Sequence, residues 1–340
     1  MSTERILLGM GNPLLDMITA VPKDMLTKYG LNANDSIMAE EKHMPLYEEL
    51  KQNFKLTYVA GGATQNSIRG AQWLLPPNST SFIGCVGNDD FAKSLEDAAR
   101  GDGVNVQYMH IDLPTGTCAC LLTDSNRSLV ANLSAADKYS IEHLKKPENW
   151  ELVEKAKFYY IGGFFFTHSH ESIMAVAKHA AENNKVFTQN LSAPFLSQFY
   201  SKFLDEAAPY WDYIFGNESE ALAFAEAHNY GTKDIKEIAL KMAAIEKVNK
   251  SRPRTVVITQ GADPTIVACE GKVTTYPACD LKKEDIVDSN GAGDAFVGGF
   301  LSQLILGQSF EKCIAAGNFV AKCVLQQSGA TFPKDVKKEF

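Results

Sequence analysis

Short apolar runs alternate with longer amphipathic stretches along most of this chain, and that alternation restricts the fold more than any other feature. The runs at 6–11, 81–86, 158–162, 186–190, 213–216 and 255–259 read as strands. Around them, 63–75, 90–101, 171–183, 218–228, 235–248 and 295–306 carry apolar residues at helical spacing, the last closed by Gly307. Strands buried on both faces and separated by helices predict an α/β fold, a doubly wound and mainly parallel sheet with helices on both faces. Ligands of such sheets bind beyond the carboxyl ends of the strands. With 340 residues and 45% hydrophobic content, the chain can bury a large core of this kind.

Two segments break the alternation, 17–41 and 115–135. In the second, 118–123 and 128–133 read as two strands joined by a polar turn, Asp124-Ser125-Asn126-Arg127. An isolated hairpin is marginal in water, so it is expected to pair with the first segment as a small β-sheet. The division expected is a core of 1–16, 42–114 and 136–340 with a small lid subdomain of 17–41 and 115–135, together one unit of 1–340. A fixed subdomain would carry the same pattern as a moving lid.

Chemistry concentrates in Asp288-Ser289-Asn290-Gly291-Ala292-Gly293-Asp294. Residues 284–287 read as the end of a strand, and the helix that follows places this loop at a helix N-terminus, where free N–H groups and the helix dipole favour an oxyanion. Asp294 fits two readings: a base that takes a proton from an attacking hydroxyl, or a carboxylate that complements the dipole. No Walker A pattern is present, so phosphate chemistry requires this other cradle.

The remaining composition excludes more than it assigns. A net charge of -8 argues against a general nucleic-acid or anionic-membrane surface. The N-terminal residues lack a long apolar stretch after positive charge, and no run approaches a membrane span, which together predict a soluble cytoplasmic protein, with nuclear presence compatible. Seven scattered cysteines without a CxxC pair are expected to be reduced; Cys118 and Cys120 should share one side of a strand. His168-Ser169-His170 is half of a metal site at most and reads as a solvated helix start.

The loop at 288–294 resembles the C-terminal signature of the PfkB or ribokinase-like sugar and nucleoside kinases, and Gly61-Gly62-Ala63-Thr64-Gln65-Asn66 resembles their N-terminal glycine motif. The resemblance runs nearly end to end through Gly9 to Asp16, Gly116-Thr117-Cys118, Asn126 to Leu129, Phe164 to Thr167, Asn190 to Phe195, Gly216-Asn217-Glu218 and Thr259-Gln260-Gly261. Ser289 keeps the hydroxyl of the usual Thr, while Ala63 stands where the family commonly has Ser or Gly, which removes the side-chain hydrogen bond a Ser would make.

The resemblance is most specific towards members that phosphorylate adenosine, and implies transfer of the ATP γ-phosphoryl group to the ribose 5′-hydroxyl as a step of purine salvage. It implies Asp294 as base, the N–H groups of Gly291, Ala292 and Gly293 as anion cradle and Arg127 as a mobile cation for the γ-phosphate. Asp16 would anchor the ribose diol with Asn12, Gly61, Gly62 and Asn66, and Ile37, Met38, Leu133 and Phe165 would wall the purine. Asn190, Thr259, Gly261, Asp288, Ser289, Asn290 and Asn318 are implied on the ATP side. Asn217 and Glu220 would hold Mg²⁺ through water, although the same pair also reads as a helix cap. The partners implied are adenosine and ATP, with the chain acting as a monomer. Another sugar or nucleoside kinase of the family, or a noncatalytic nucleoside sensor, are the competing functions.

Overall fold

The computed structural model describes residues 4–340 except 34, 124 and 125, and its strands form two sheets. In chain order they are β1 (Leu7–Met10), β2 (Leu14–Ala20), β3 (Ser36–Met38), β4 (Thr57–Gly61), β5 (Thr80–Gly87), β6 (Asn105–Ile111) and β7 (Thr117–Thr123). They continue as β8 (Asn126–Asn132), β9 (Phe158–Gly162), β10 (Val186–Asn190), β11 (Tyr213–Asn217), β12 (Thr255–Gln260), β13 (Asp263–Cys269) and β14 (Lys272–Tyr276). The large sheet has the order β14-β13-β12-β11-β10-β9-β1-β5-β6. It is parallel from β12 to β6, and the β13 and β14 ladders are antiparallel.

Strand alternation explains why its apolar runs are nearly continuous. Leu8, Ile83, Tyr159, Ile161, Ile214, Val256 and Ile258 enter one buried cluster, while their neighbours Leu7, Phe82, Tyr160, Phe215 and Val257 enter the cluster on the opposite face. The helices Ala63–Leu74, Asp90–Gly101, Ala292–Ile305 and Phe310–Leu325 cover the second face, and His170–Glu182, Glu218–Ala227 and Ile235–Ala243 cover the first. The chain runs outward from β1 to β5 and β6, then returns to β9 on the other side of β1 and continues outward to β12. The reversal beside β1 opens a crevice at the carboxyl ends of the strands.

The small sheet has the order β3-β8-β7-β2-β4. It reaches beyond the expected 17–41 and 115–135 on its first side: β2 starts at Leu14, and β4 returns antiparallel to β2, pairing Gly61 with Leu14. The helix Met44–Asn53 also packs here, since Leu46, Tyr47 and Leu50 are buried against Met17, Ala119 and Leu121. That face is sealed. The alternate residues Leu14, Cys118, Leu129 and Ala131 face the crevice.

Other expectations change at their ends. Residues 284–287 are no strand: Lys283–Asp285 form a 3₁₀ turn, Val287 is 64% exposed, and the N–H groups of Val287 and Asp288 both donate to the Leu325 carbonyl. The helix from Ile235 stops at Ala243 instead of 248, because the buried Arg254 guanidinium donates to the Met242 and Ile245 carbonyls that a longer helix would use. The last predicted helix begins at Ala292, which brings Asp294 inside its first turn. No described helix is long and apolar enough to cross a membrane.

Candidate active site

The carboxyl-end crevice holds a cavity of about 490 Å³, and a second of about 100 Å³ adjoins it. Asp294, Gly293, Ala63, Phe164, Ser192 and Asn217 line both, so Asp294 stands where the two spaces meet. Its position follows from the turn before it. Gly291 caps the helix Ala292–Ile305 with a left-handed φ of 73°, a conformation that glycine adopts without strain, and the chain then enters the helix with Asp294 in the first turn. Gly291 and Gly293 both line the larger cavity, and a Cβ at Gly293 would meet nothing, so its backbone is open to a ligand.

Asn66 Nδ2 donates to Asp294 Oδ2 at 3.1 Å. Burial pushes the Asp294 carboxyl up to about 7, opposed by that hydrogen bond and reinforced by the charge of Asp16. Asn66 is itself placed by Gly62, whose carbonyl accepts the Asn66 N–H at 2.9 Å. Gly62 has φ 91°, and a Cβ there would lie 2.2 Å from the Asn12 carbonyl oxygen, so no other residue fits.

Asp16 is the third residue of β2 and is 4% exposed. Asn290 Nδ2 donates to its Oδ2 at 2.9 Å, which ties the small sheet to the 288–294 loop. Burial also pushes Asp16 to about 7, against the pull of the Arg127 charge. Gly61 stands behind this carboxylate; a Cβ there would be 2.4 Å from Oδ1. Cys118 and Cys120 do share a side, with sulfurs within 4.8 Å of the Asp16 carboxylate, but the Arg127 guanidinium beside them repels a cation.

Arg127 is not in the turn. It pairs with Leu122 inside the β7–β8 ladder, is 7% exposed, and forms an ion pair with Asp288 while lining the cavity. Asp288 also accepts the N–H groups of Asn290 at 2.9 Å and Gly329 at 2.7 Å, so it organises the loop from behind rather than facing the cavity. The expected turn residues 124 and 125 lie outside the described residues.

The apolar wall gathers Ile37, Met38, Leu133, Phe164 and Phe165 with Leu129 and Ala131. Phe166 points away, and packs near His170. The His168 and His170 pair is packed rather than solvated: His168 Nε2 lies 2.9 Å from Asn12 Oδ1, and His170 Nε2 lies 2.8 Å from Glu206. Asn12 Nδ2 and Asn66 Oδ1 are buried without a partner among the described residues. One is a donor and one an acceptor, the pair that hydroxyl groups satisfy.

In the smaller cavity, Asn217 and Glu220 form a capping box on the helix Glu218–Ala227. Glu220 accepts the Asn217 N–H at 3.0 Å and its Nδ2–H at 2.8 Å, and burial raises the carboxyl to about 7. Thr259 and Asn190 line the same space, with Asn190 Oδ1 accepting the Ser192 N–H at 2.9 Å. Ser289 and Asn290 line the larger one, and Ala292 is in neither lining. Gly261 and Asn318 are in neither lining; Asn318 Nδ2 instead donates to the Pro277 carbonyl at 2.9 Å. Thr64, Ser192, Phe164 and Leu129 line the larger cavity as well; they lie within the motif stretches but had no role assigned to them. Thr64 lies two residues beyond the glycine pair, and its Oγ1 accepts the Gly162 N–H at 3.1 Å.

Comparison with known proteins agrees with this geometry. The pattern of the pfkB family carbohydrate kinases matches residues 23–337. Adenosine kinase 1 of Arabidopsis thaliana is 54% identical over 331 residues, 97% of this chain and 96% of that protein. Adenosine kinase of Schizosaccharomyces pombe is 48% identical over 338 residues, 98% of each. Among solved structures, Anopheles gambiae adenosine kinase in complex with P1,P4-di(adenosine-5) tetraphosphate superposes with a TM-score of 0.94 at 49% identity, covering 96% of this chain and 97% of that one. Schistosoma mansoni adenosine kinase in complex with 2-fluoroadenosine gives 0.94 at 37% identity, covering 97% and 98%. A match of that extent, on a chain whose glycine loops and two carboxylates meet in one crevice, makes this protein a member of the pfkB family of carbohydrate kinases.

Proposed function

We propose that the protein transfers the γ-phosphoryl group of ATP to the 5′-hydroxyl of adenosine, giving AMP and ADP, a reaction of purine salvage. The observation that carries this reading is the place of Asp294, on the shared wall of two cavities and in the first turn of a helix. The nucleoside occupies the larger cavity and the phosphates of ATP approach through the smaller. Adenosine is the acceptor in the names of the relatives, and the apolar wall of Ile37, Met38, Leu133 and Phe165 suits a purine better than a free sugar.

Asp16 accepts hydrogen bonds from the ribose hydroxyls, with Asn12 Nδ2 and Asn66 Oδ1 satisfied by the same ligand. The 5′-hydroxyl then lies against Asp294. As the bond from O5′ to phosphorus forms and the bridging bond to ADP breaks, the proton passes to Asp294, whose elevated pKa near 7 suits a base at neutral pH. The first amides of the helix Ala292–Ile305 have no intrahelical acceptor and hold the charge on the transferring oxygens. Arg127 contributes through Asp288, keeping the 288–294 loop seated under the small sheet. That sheet acts as the lid whose closure excludes water.

Magnesium fits this site through its water shell. Both Glu220 oxygens already accept hydrogen bonds from Asn217, so the carboxylate is placed to hold metal-bound waters rather than the ion. Such an ion supplies charge neutralisation at the β- and γ-phosphates.

A coupled ADP-release assay with adenosine, inosine, ribose and fructose at equal concentrations tests the assignment. Adenosine is expected to dominate. Faster turnover of ribose or fructose would make the chain a sugar kinase, and adenosine binding without ADP release would make it a sensor.

A further inference from the structure

His168 has no part in the phosphoryl transfer described above, yet it touches the nucleoside cavity from behind. Its Nε2 lies 2.9 Å from Asn12 Oδ1, across 156 residues of sequence. Its ring also meets Phe165 edge to face, with centroids 5.1 Å apart and planes at 81°. Asn12 and Phe165 both line the cavity, whereas His168 does not.

We propose that His168 is a positioning residue for nucleoside specificity: its Nε2–H donates to Asn12 Oδ1 and locks the Asn12 amide with its Nδ2 hydrogens turned into the cavity. The hydrogen-bond chain fixes the direction. An amide oxygen only accepts, so the Nε2 that faces Asn12 Oδ1 at 2.9 Å carries the hydrogen, and Nδ1, now the lone-pair nitrogen, accepts from the Ser169 hydroxyl at 2.8 Å, which then gives up its longer 3.2 Å contact with the Tyr139 carbonyl oxygen. Burial holds the imidazole pKa down at about 4, so the ring is neutral at physiological pH and carries one N–H only. Oδ1 is then committed, and Nδ2 is the buried donor without a partner among the described residues. An amide without this lock can present either its NH₂ or its carbonyl to the cavity, and the carbonyl repels an acceptor on the ligand.

The inference rests on the larger cavity being the adenosine site. His168→Leu removes the donor and keeps an apolar body against Phe165. It should raise KM for adenosine about 3- to 10-fold, the range of one lost buried hydrogen bond, with kcat within about twofold because Asp294 is untouched. His168→Gln keeps a donor and should restore KM to within about twofold of wild type. In an Asn12→Ala background His168→Leu should add less than about twofold, since it acts through Asn12. Asn12→Asp is independent of any folding defect in the His168 variants: it keeps an acceptor for His168 but turns an acceptor to the ligand, and KM should rise at least about 10-fold.

An equal KM rise from His168→Leu with or without Asn12 would make it a packing residue of Phe165 and overturn the inference. So would an Asn12→Asp enzyme with wild-type KM, or an unchanged KM in His168→Leu. A wild-type enzyme that neither binds nor phosphorylates adenosine overturns the functional reading and this inference together, whereas the other outcomes leave that reading intact.

Discussion

Replacing Asp294 with Asn removes the base while keeping nearly every atom of its surroundings. The new side-chain oxygen can still accept the Asn66 Nδ2 hydrogen now donated at 3.1 Å, so the loop and the glycine turn should hold their shape. Loss of a positioned base lowers kcat by about 10² to 10⁴, or roughly 3 to 5 kcal/mol of transition-state stabilisation, with the affinity for adenosine close to wild type. Stability should move the other way. The Asp294 pKa rises from 3.8 to about 7 on folding, so the folded state binds the proton more tightly, and that contribution is complete below about pH 4 and lost as pH rises through 7. Asn does not titrate and escapes the loss. At pH 8 the variant should resist urea better than wild type, by up to about 4 kcal/mol for a shift of this size, at about 1.4 kcal/mol per unit. Burial raises Asp16 and Glu220 to about 7 as well, and the charge of Asp16 helps to lift Asp294. The acid side of the kcat/KM profile should therefore be steeper in wild type than in Asp294→Asn, by one proton. Stopped turnover assays and urea unfolding from pH 5 to 9 measure both effects. A kcat within tenfold of wild type, or a variant less stable than wild type at pH 8, would refute the reasoning.

Asp16→Ala should raise KM for adenosine at least about 10-fold through loss of charge-assisted hydrogen bonds; calorimetry should show wild type losing the same affinity for 2′,3′-dideoxyadenosine, and the variant losing none. Arg127→Ala strands the buried Asp288 carboxylate and should cost about 3 to 5 kcal/mol in urea unfolding, with Arg127→Lys restoring only part; a loss below 1 kcal/mol would mean that the pair does not hold the loop. Gly62→Ala forces a side chain into φ 91° and against the Asn12 carbonyl, and should abolish adenosine binding measured by calorimetry, while Gly101→Ala, where a Cβ meets nothing, leaves it intact.

The parallel strands were legible because burial on both faces leaves only apolar residues for them to carry: Leu7 and Leu8, or Val256 and Val257, face opposite clusters and so cannot alternate with polar residues. The same rule hid β2, whose third residue is Asp16, and the start of β8, whose Asn126 and Arg127 read as part of a polar turn. Polar residues enter these strands because their side chains serve the crevice rather than a core, so propensity and pattern fail where the chemistry is. A similar limit applies to Glu220, whose capping role is local and visible three residues from Asn217, while its place beside Asp294 depends on how β11 and the helix Ala292–Ile305 meet. Ile286 and Val287 err in the other direction: apolar and β-branched, they read as a strand, yet they are exposed because the Lys283 carbonyl takes the Ile286 N–H and the Leu325 carbonyl takes that of Val287, leaving none for a ladder. His168 marks the far end of this range. Nothing within a few residues of it points to Asn12, and only the reversal of chain direction beside β1, which brings the end of β9 against the end of β1, makes a histidine outside the cavity answerable for the orientation of an amide inside it.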